Sequence, residues 1–105
     1  MKILEPRIIG RVGVDTGILW IGDSCYILHL KPDILPSTLG KSWDEFCNIL
    51  GNDRTKSFNC ERGHEGLGVC TSTGGDCSYN VIGFFKKDYE VPSFVMIDFE
   101  GNYFD

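Results

Sequence analysis

Short runs of apolar and β-branched residues, separated by Gly, Asp, Ser and Pro, are the feature that most constrains the fold of this chain. Seven such runs lie at residues 7–14, 18–21, 25–30, 57–61, 66–71, 78–86 and 92–99. Runs of this length predict strands, and the closeness of the first three predicts a meander. The run at 78–86 carries bulky side chains at both parities, which predicts a central strand covered on both faces.

One short helix is predicted between the third and fourth runs. Ser42 and Glu45 have the spacing of a capping box with Ser42 as the N-cap, and Gly51 supplies the left-handed position after the last turn. The apolar face has the spacing i, i+3, i+4 and i+7, and consists of Trp43, Phe46, Cys47 and Leu50. A chain of 105 residues is one domain's length. We therefore predict a single domain over residues 1–105, mainly β (α+β), forming a small antiparallel barrel or sandwich of six or seven strands capped by one short helix.

The charge balance restricts the classes of partner. There are 10 Lys and Arg residues against 15 Asp and Glu residues, which gives a formal net charge of −5. Nucleic acids and anionic membranes require a cationic surface, so we expect no direct contact with either. A basic protein or a cation stays open as a partner. The N-terminal residues lack the apolar core of a signal peptide, and no uncharged run approaches the roughly 18–20 residues of a membrane span, which predicts a cytoplasmic protein.

The C-terminal stretch from Asp88 to Asp105 combines acidic and aromatic residues. It contains five carboxylates and no Lys or Arg. This composition predicts a surface that binds a basic groove on another protein, through Asp88, Tyr89, Glu90, Asp98, Glu100 and Tyr103. The alternative interpretation is a solvated outer face followed by a frayed terminus.

A second candidate site comes from two similar turns. Residues 22–26 and 75–79 both have the pattern Gly-Asp-x-x-Tyr at the start of a predicted strand. If the two turns lie at the same end of the domain, a polar ligand or a cation would be held by Asp23, Tyr26, Asp76 and Tyr79. The alternative is that each Asp accepts hydrogen bonds from its own turn and each Tyr packs beneath it.

The cysteines offer a metal site as a further alternative. Five cysteines and no export signal favour reduced thiols over a disulfide framework. A zinc ion could be bound by Cys60, His64, Cys70 and Cys77, but the close ligand pairs of common zinc modules are missing. We therefore expect reduced, mostly buried cysteines and no cofactor.

One tripeptide matches the catalytic motif of aspartic proteases. Asp15, Thr16 and Gly17 follow a β-branched run, and a chain of this length resembles one subunit of a homodimeric retroviral-type protease. Ile18 stands where that family has a small residue, and the Gly-Arg-Asp/Asn segment near the C-terminus is missing. An Asp15 protease is thus a remote alternative, and the expected assembly is a monomer or a homodimer.

Two longer motifs resemble a poorly characterised family of small bacterial and phage proteins. Residues 13–26 are similar to that family's Gly-Asp-Pro-Cys-Tyr motif, and residues 72–81 to its Gly-Asp-Gly-x-Tyr motif. The resemblance implies a cytosolic, phage-encoded β protein and carries no activity. With the acidic surface, it leads us to expect a non-enzymatic module that acts by protein–protein interaction. Its specific form would be a phage inhibitor of a host defence system, for example of a CRISPR nuclease.

Overall fold

The computed structural model describes residues 3–24, 39–40, 42–59 and 66–105, and these contain six strands and one helix. In chain order the elements are β1 (Glu5–Val14), β2 (Ile18–Gly22), α1 (Trp43–Leu50), β3 (Thr55–Phe58), β4 (Gly68–Ser72), β5 (Cys77–Phe85) and β6 (Phe94–Asp98). The strand predicted at 25–30 lies outside the described residues. The other six predicted strands are confirmed with small changes in their ends.

The strands form two antiparallel sheets of three strands each. The order is β1-β5-β6 in one sheet and β2-β4-β3 in the other. The predicted fold class, mainly β with one short helix, is confirmed. Neither sheet closes on itself, so the described residues do not form the barrel that was one of the two predicted architectures. Strand β5 is central, as its bulky residues at both parities predicted.

The chain divides into two compact units, each built around one sheet. The first unit comprises Met1–Gly17 and Thr73–Asp105, and the second comprises Ile18–Ser72. The β1–β2 pairing of the predicted meander is wrong, because β1 and β2 belong to different sheets and β1 pairs instead with β5. Gly17 has a left-handed φ of 69° and accepts a hydrogen bond from Thr73 N at 3.0 Å, which ends β1 without a hairpin. The prediction of a single domain stays a prediction.

Helix α1 is fixed at both ends by the residues that the sequence indicated. The Ser42 hydroxyl accepts a hydrogen bond from Glu45 N at 3.1 Å. Gly51 has a φ of 60°, and its N–H donates to the Cys47 carbonyl at 2.9 Å. A helix of eight residues is marginal in isolation, so its apolar face must be stabilised by packing. That packing is provided by a core of Leu50, Phe58, Leu67 and Cys70, with Ile18, Trp20, Leu39 and Phe46 against it.

The indole of Trp20 lies across a pair of glycines in this core. Gly22 and Gly68 are opposite each other in the β2–β4 pairing. A Cβ on Gly68 would overlap the Trp20 ring, and a Cβ on Gly22 would lie 2.8 Å from the Trp20 Nε1. The absence of side chains at these two positions therefore lets the indole pack flat on the backbone and contact Phe58, at 5.5 Å between ring centroids.

The first unit has its own buried residues on the sheet β1-β5-β6. The buried apolar side chains are Val14, Tyr79, Ile82 and Phe85. Ile82 is completely buried in the central strand, and the Arg7 guanidinium lies 3.7 Å from the centroid of the Phe85 ring. An irregularity in the pairing between Ile8 and Gly10 bends β1 at this edge of the sheet. The alternation of β5 thus buries residues from both of its faces, as the sequence predicted.

Candidate functional site

The segment after β5 presents apolar and acidic side chains to solvent together. Six large apolar or aromatic residues of this segment are between 44% and 75% exposed, namely Tyr89, Val91, Phe94, Val95, Tyr103 and Phe104. Four of its carboxylates are also exposed: Asp88, Glu90, Glu100 and Asp105. Single exposed apolar residues are normal on a protein surface, whereas several in one segment indicate a contact surface.

Three of the exposed rings and Phe84 of β5 are here called the aromatic patch (Phe84, Phe94, Tyr103 and Phe104). Phe84 and Phe94 are opposite each other in the β5–β6 pairing. The Tyr103 ring meets Phe84 edge-on at 5.7 Å between centroids, and it meets Phe104 edge-on at 5.1 Å. Edge-to-face contacts of this kind favour fixed relative orientations of the rings of Phe84, Tyr103 and Phe104.

Asp98 organises the turn that brings Tyr103 to the patch. Its side chain is only 9% exposed. Its carboxylate accepts hydrogen bonds from the N–H groups of Gly101 at 2.9 Å, Tyr103 at 2.9 Å and Glu100 at 3.2 Å. These bonds, that of Tyr103 foremost, lower the pKa of Asp98. Asp98 thus differs from the other five predicted partner-surface residues: its carboxylate binds backbone N–H groups of the turn that follows it.

Replacing Asp98 by asparagine is expected to lower the melting temperature at pH 7, because an amide has one acceptor oxygen where the carboxylate has two. A lowered folded-state pKa stabilises the fold above the ordinary aspartate pKa of about 3.9, and this stabilisation is lost as the pH falls through the folded-state value. The difference between the wild type and Asp98→Asn should therefore shrink as the pH falls from 7 to 3. Thermal unfolding at several pH values measures it, and a difference independent of pH would contradict the assigned role.

The connection between β5 and β6 orients another predicted partner residue. Tyr89 N donates to the Lys86 carbonyl at 3.1 Å, and the Lys86 ammonium lies 5.4 Å from the centroid of the Tyr89 ring. Asp88, between them, has a left-handed φ of 66°, which Asp tolerates better than most residues. The turn thereby leaves the Tyr89 ring exposed beside Glu90.

A cleft of about 230 Å³ borders the same segment within the first unit. Its lining includes Arg11, Ser78 and Asn80 as well as Asp98 and Glu100. The Arg11 guanidinium donates to the Ser78 carbonyl at 3.3 Å. The cleft therefore supplies polar groups next to the acidic residues of the C-terminal segment.

The two Gly-Asp-x-x-Tyr turns belong to different units. Asp76 is exposed in the turn before β5, and Tyr79 is buried. The Tyr79 hydroxyl donates to the Gly75 carbonyl at 2.6 Å, and its ring packs against Phe99. Asp23 is exposed after β2 in the second unit, and Tyr26 lies outside the described residues. The shared ligand site therefore stays a prediction. In the second turn, the Tyr79 hydroxyl stabilises the turn through its hydrogen bond to the Gly75 carbonyl.

Replacing Tyr79 by phenylalanine should lower the free energy of unfolding by about 0.5–1.5 kcal/mol, the usual net contribution of one buried hydrogen bond. The matched control is Tyr89→Phe, because the Tyr89 ring is 60% exposed. Urea unfolding of both variants measures the two effects. Equal stabilities of the two variants would contradict the interpretation that the Tyr79 hydroxyl fixes the turn.

The cysteines divide between core and surface. Cys70 is buried in the core of the second unit, and burial, helped by the nearby Cys47, raises the pKa of its thiol. Cys77 is exposed, whereas Cys60 and His64 lie outside the described residues. In the described ranges there is no group of three or more His, Cys, Asp or Glu side chains that could hold a metal ion. The four-residue zinc site therefore stays a prediction.

Asp15 is exposed in the turn between β1 and β2. This exposure does not test the protease alternative, which therefore stays a prediction. In the part of the chain that the structure describes, no helix combines the length and the apolar character that crossing a membrane would require.

Comparisons with known proteins give no information on the function of this chain. No protein-family model matches the sequence. Searches of curated proteins and of solved structures likewise find no similar chain. The geometry of the C-terminal segment is thus the basis for the proposal that follows.

Proposed function

We propose that the chain is a non-enzymatic binding module that contacts a basic protein surface through its C-terminal segment. The observation that carries this proposal is the aromatic patch: three of its four rings are exposed, and the same segment has the exposed carboxylates Glu90, Glu100 and Asp105. Aromatic residues are enriched in the buried centres of protein interfaces, and they often contribute most of the binding energy. Charged residues around such a centre favour a partner of opposite charge and speed its association.

The sign of the charge selects a protein rather than a nucleic acid as the partner. Exposed rings also stack on bases in single-stranded nucleic acids, but those sites include cationic groups that contact the phosphates. Residues 88–105 contain no Lys or Arg, and the whole chain has a formal net charge of −5. Lys86 lies beside the Tyr89 ring and Arg11 lines the cleft with Glu100. The acidic excess of residues 88–105 nevertheless favours Lys and Arg side chains over phosphates at this surface.

A more specific form of the proposal is an inhibitor of a host defence nuclease. Nucleases bind their substrates in basic grooves, and an acidic surface with exposed rings has the complementary charge for such a groove. The resemblance of residues 13–26 and 72–81 to motifs of small bacterial and phage proteins supports this form. Phage plating on a bacterium that carries an active nuclease defence, with and without expression of the chain, measures inhibition.

The general proposal is tested by reversing charge at the surface. The variant Glu90→Lys with Glu100→Lys should lose at least tenfold in captured partner when immobilised protein is exposed to a bacterial lysate. The matched control, Glu5→Lys with Asp15→Lys, changes net charge equally at two other exposed carboxylates. It should capture the partner as the wild type does. Equal losses in both variants, or none in either, would contradict a contact through the C-terminal segment.

A further inference from the structure

The outer edge of β6 has few of the features by which proteins usually protect an exposed strand: the strand is five residues long, and its one charged side chain, Asp98, is buried at its C-terminal end. Strand β6 ends the order β1-β5-β6, and no described strand pairs with its outer edge. Phe94 and Val95 are consecutive, so they lie on opposite faces, and they are 66% and 56% exposed. The strand has no Lys, no Pro and no irregularity in its pairing with β5. An edge of this kind can accept a further strand.

The other edge of the same sheet differs in each of these respects. Strand β1 contains Pro6 and the cations Arg7 and Arg11. Its pairing with β5 is interrupted between Ile8 and Gly10. Proline, charged side chains and irregular pairing are the usual means of preventing edge-to-edge association. Among the described strands, the contrast therefore favours β6 over β1 as the edge of this sheet that accepts a further strand.

We infer that β6 binds an extended basic segment of the partner as an added strand. This inference rests on the proposed function and names the geometry of that contact. Main-chain hydrogen bonds to β6 would supply affinity, and the alternate apolar side chains on one face of the segment would pack on Phe94. Glu90 and Glu100 lie before and after the strand, where Lys or Arg side chains at the two ends of the segment would meet them.

Charge also decides between a partner segment and a second copy of this chain. Two copies joined by antiparallel β6 strands would bring the acidic ends of identical strands together. Each copy has a formal net charge of −5 and no cation between Asp88 and Asp105. Like charges at a contact oppose association, whereas a basic segment gains from the same carboxylates. The occupant is therefore a basic strand from another protein.

The test uses a synthetic peptide of alternating Lys and Val, seven residues long with blocked ends, and its Kd is measured by fluorescence anisotropy. A second peptide of the same sequence is N-methylated at alternate residues, which keeps its charge and removes its strand hydrogen bonds. We expect the methylated peptide to bind at least tenfold more weakly. Phe94→Lys should weaken the parent peptide at least tenfold, whereas the matched variant Ile8→Lys, on β1, should change its Kd less than twofold.

Three results would overturn the added strand. They are equal binding of the two peptides, equal losses in Phe94→Lys and Ile8→Lys, and a dimer in light scattering that Phe94→Lys abolishes. The peptide and lysate experiments together distinguish a failure of the added strand from a failure of the proposed function. If the lysate partner is lost with Glu90→Lys and Glu100→Lys but the two peptides bind equally, the acidic surface stands and the strand geometry fails. If the peptides differ but the charge reversal has no effect on the lysate partner, the proposed function fails instead.

Discussion

Replacing Gly68 by alanine is expected to lower the free energy of unfolding by about 1–3 kcal/mol, the usual cost of overpacking a core. The new methyl group would overlap the Trp20 indole, which lies on the Gly22–Gly68 pair. Because Trp20 also packs against the buried Phe58, the ring cannot move without disturbing the core of the second unit. Urea unfolding followed by tryptophan fluorescence measures both the stability and the displacement of the ring.

Two further variants separate this overlap from a general effect of alanine. Gly75→Ala is the matched control, since a Cβ there has no atom within 4 Å, and its stability should change by less than about 0.5 kcal/mol. Combining Gly68→Ala with Trp20→Phe should recover part of the loss, because the smaller ring leaves room for the methyl group. Equal stabilities of Gly68→Ala and Gly75→Ala would contradict the packing of Trp20 on the glycine pair.

Replacing Ile82 by alanine should have the largest effect in the first unit, a loss of about 2–5 kcal/mol. The residue has no exposed surface and lies in the central strand, with Ile8 opposite it on β1 and Met96 opposite it on β6. Truncation removes its transfer free energy and leaves a cavity that the paired strands cannot close. Chemical unfolding followed by far-ultraviolet circular dichroism measures the loss.

Ile8→Ala is the matched control for Ile82→Ala. It makes the same chemical change at the residue directly opposite, where the side chain is 52% exposed. Its cost should be at most about half that of Ile82→Ala, because a half-exposed side chain loses less transfer free energy and leaves no closed cavity. Similar losses in the two variants would show that Ile82 is not the buried centre of this sheet.

The local elements could be predicted from the sequence because their signals are local. Ser42 and Gly51 fix the two ends of α1 within nine residues of each other, and six strand-like runs became strands. The partners of the strands could not be predicted in the same way. Strand β1 pairs with β5, more than sixty residues away, and nothing near Val14 or Gly17 indicates that choice. The false expectation of a meander came from counting neighbours in sequence as neighbours in the sheet.

The candidate site was predicted in composition but not in organisation. The mixture of carboxylates and rings after residue 88 indicated a surface. Phe84 of β5 belongs to the patch only because the β5–β6 pairing places it opposite Phe94, and this register could not be predicted from the sequence. Asp98 was grouped with exposed carboxylates, although Gly101 and Asn102 after it are typical of a turn that an Asp side chain stabilises. That pattern was the sequence signal from which the role of Asp98 could have been predicted. The hydrogen bond of the Tyr79 hydroxyl could not be predicted, since only the folded turn brings the Gly75 carbonyl to it.

The central claim is that the C-terminal segment is the contact surface, and hydrogen–deuterium exchange tests it most directly. Exchange is measured by mass spectrometry on the free chain and on the complex with its captured partner. The account predicts slower exchange in the complex at residues 84–105, with the remainder little changed. Slower exchange at residues 15–24 and 73–79, with 84–105 unchanged, would contradict it and would place the contact at the two Gly-Asp turns.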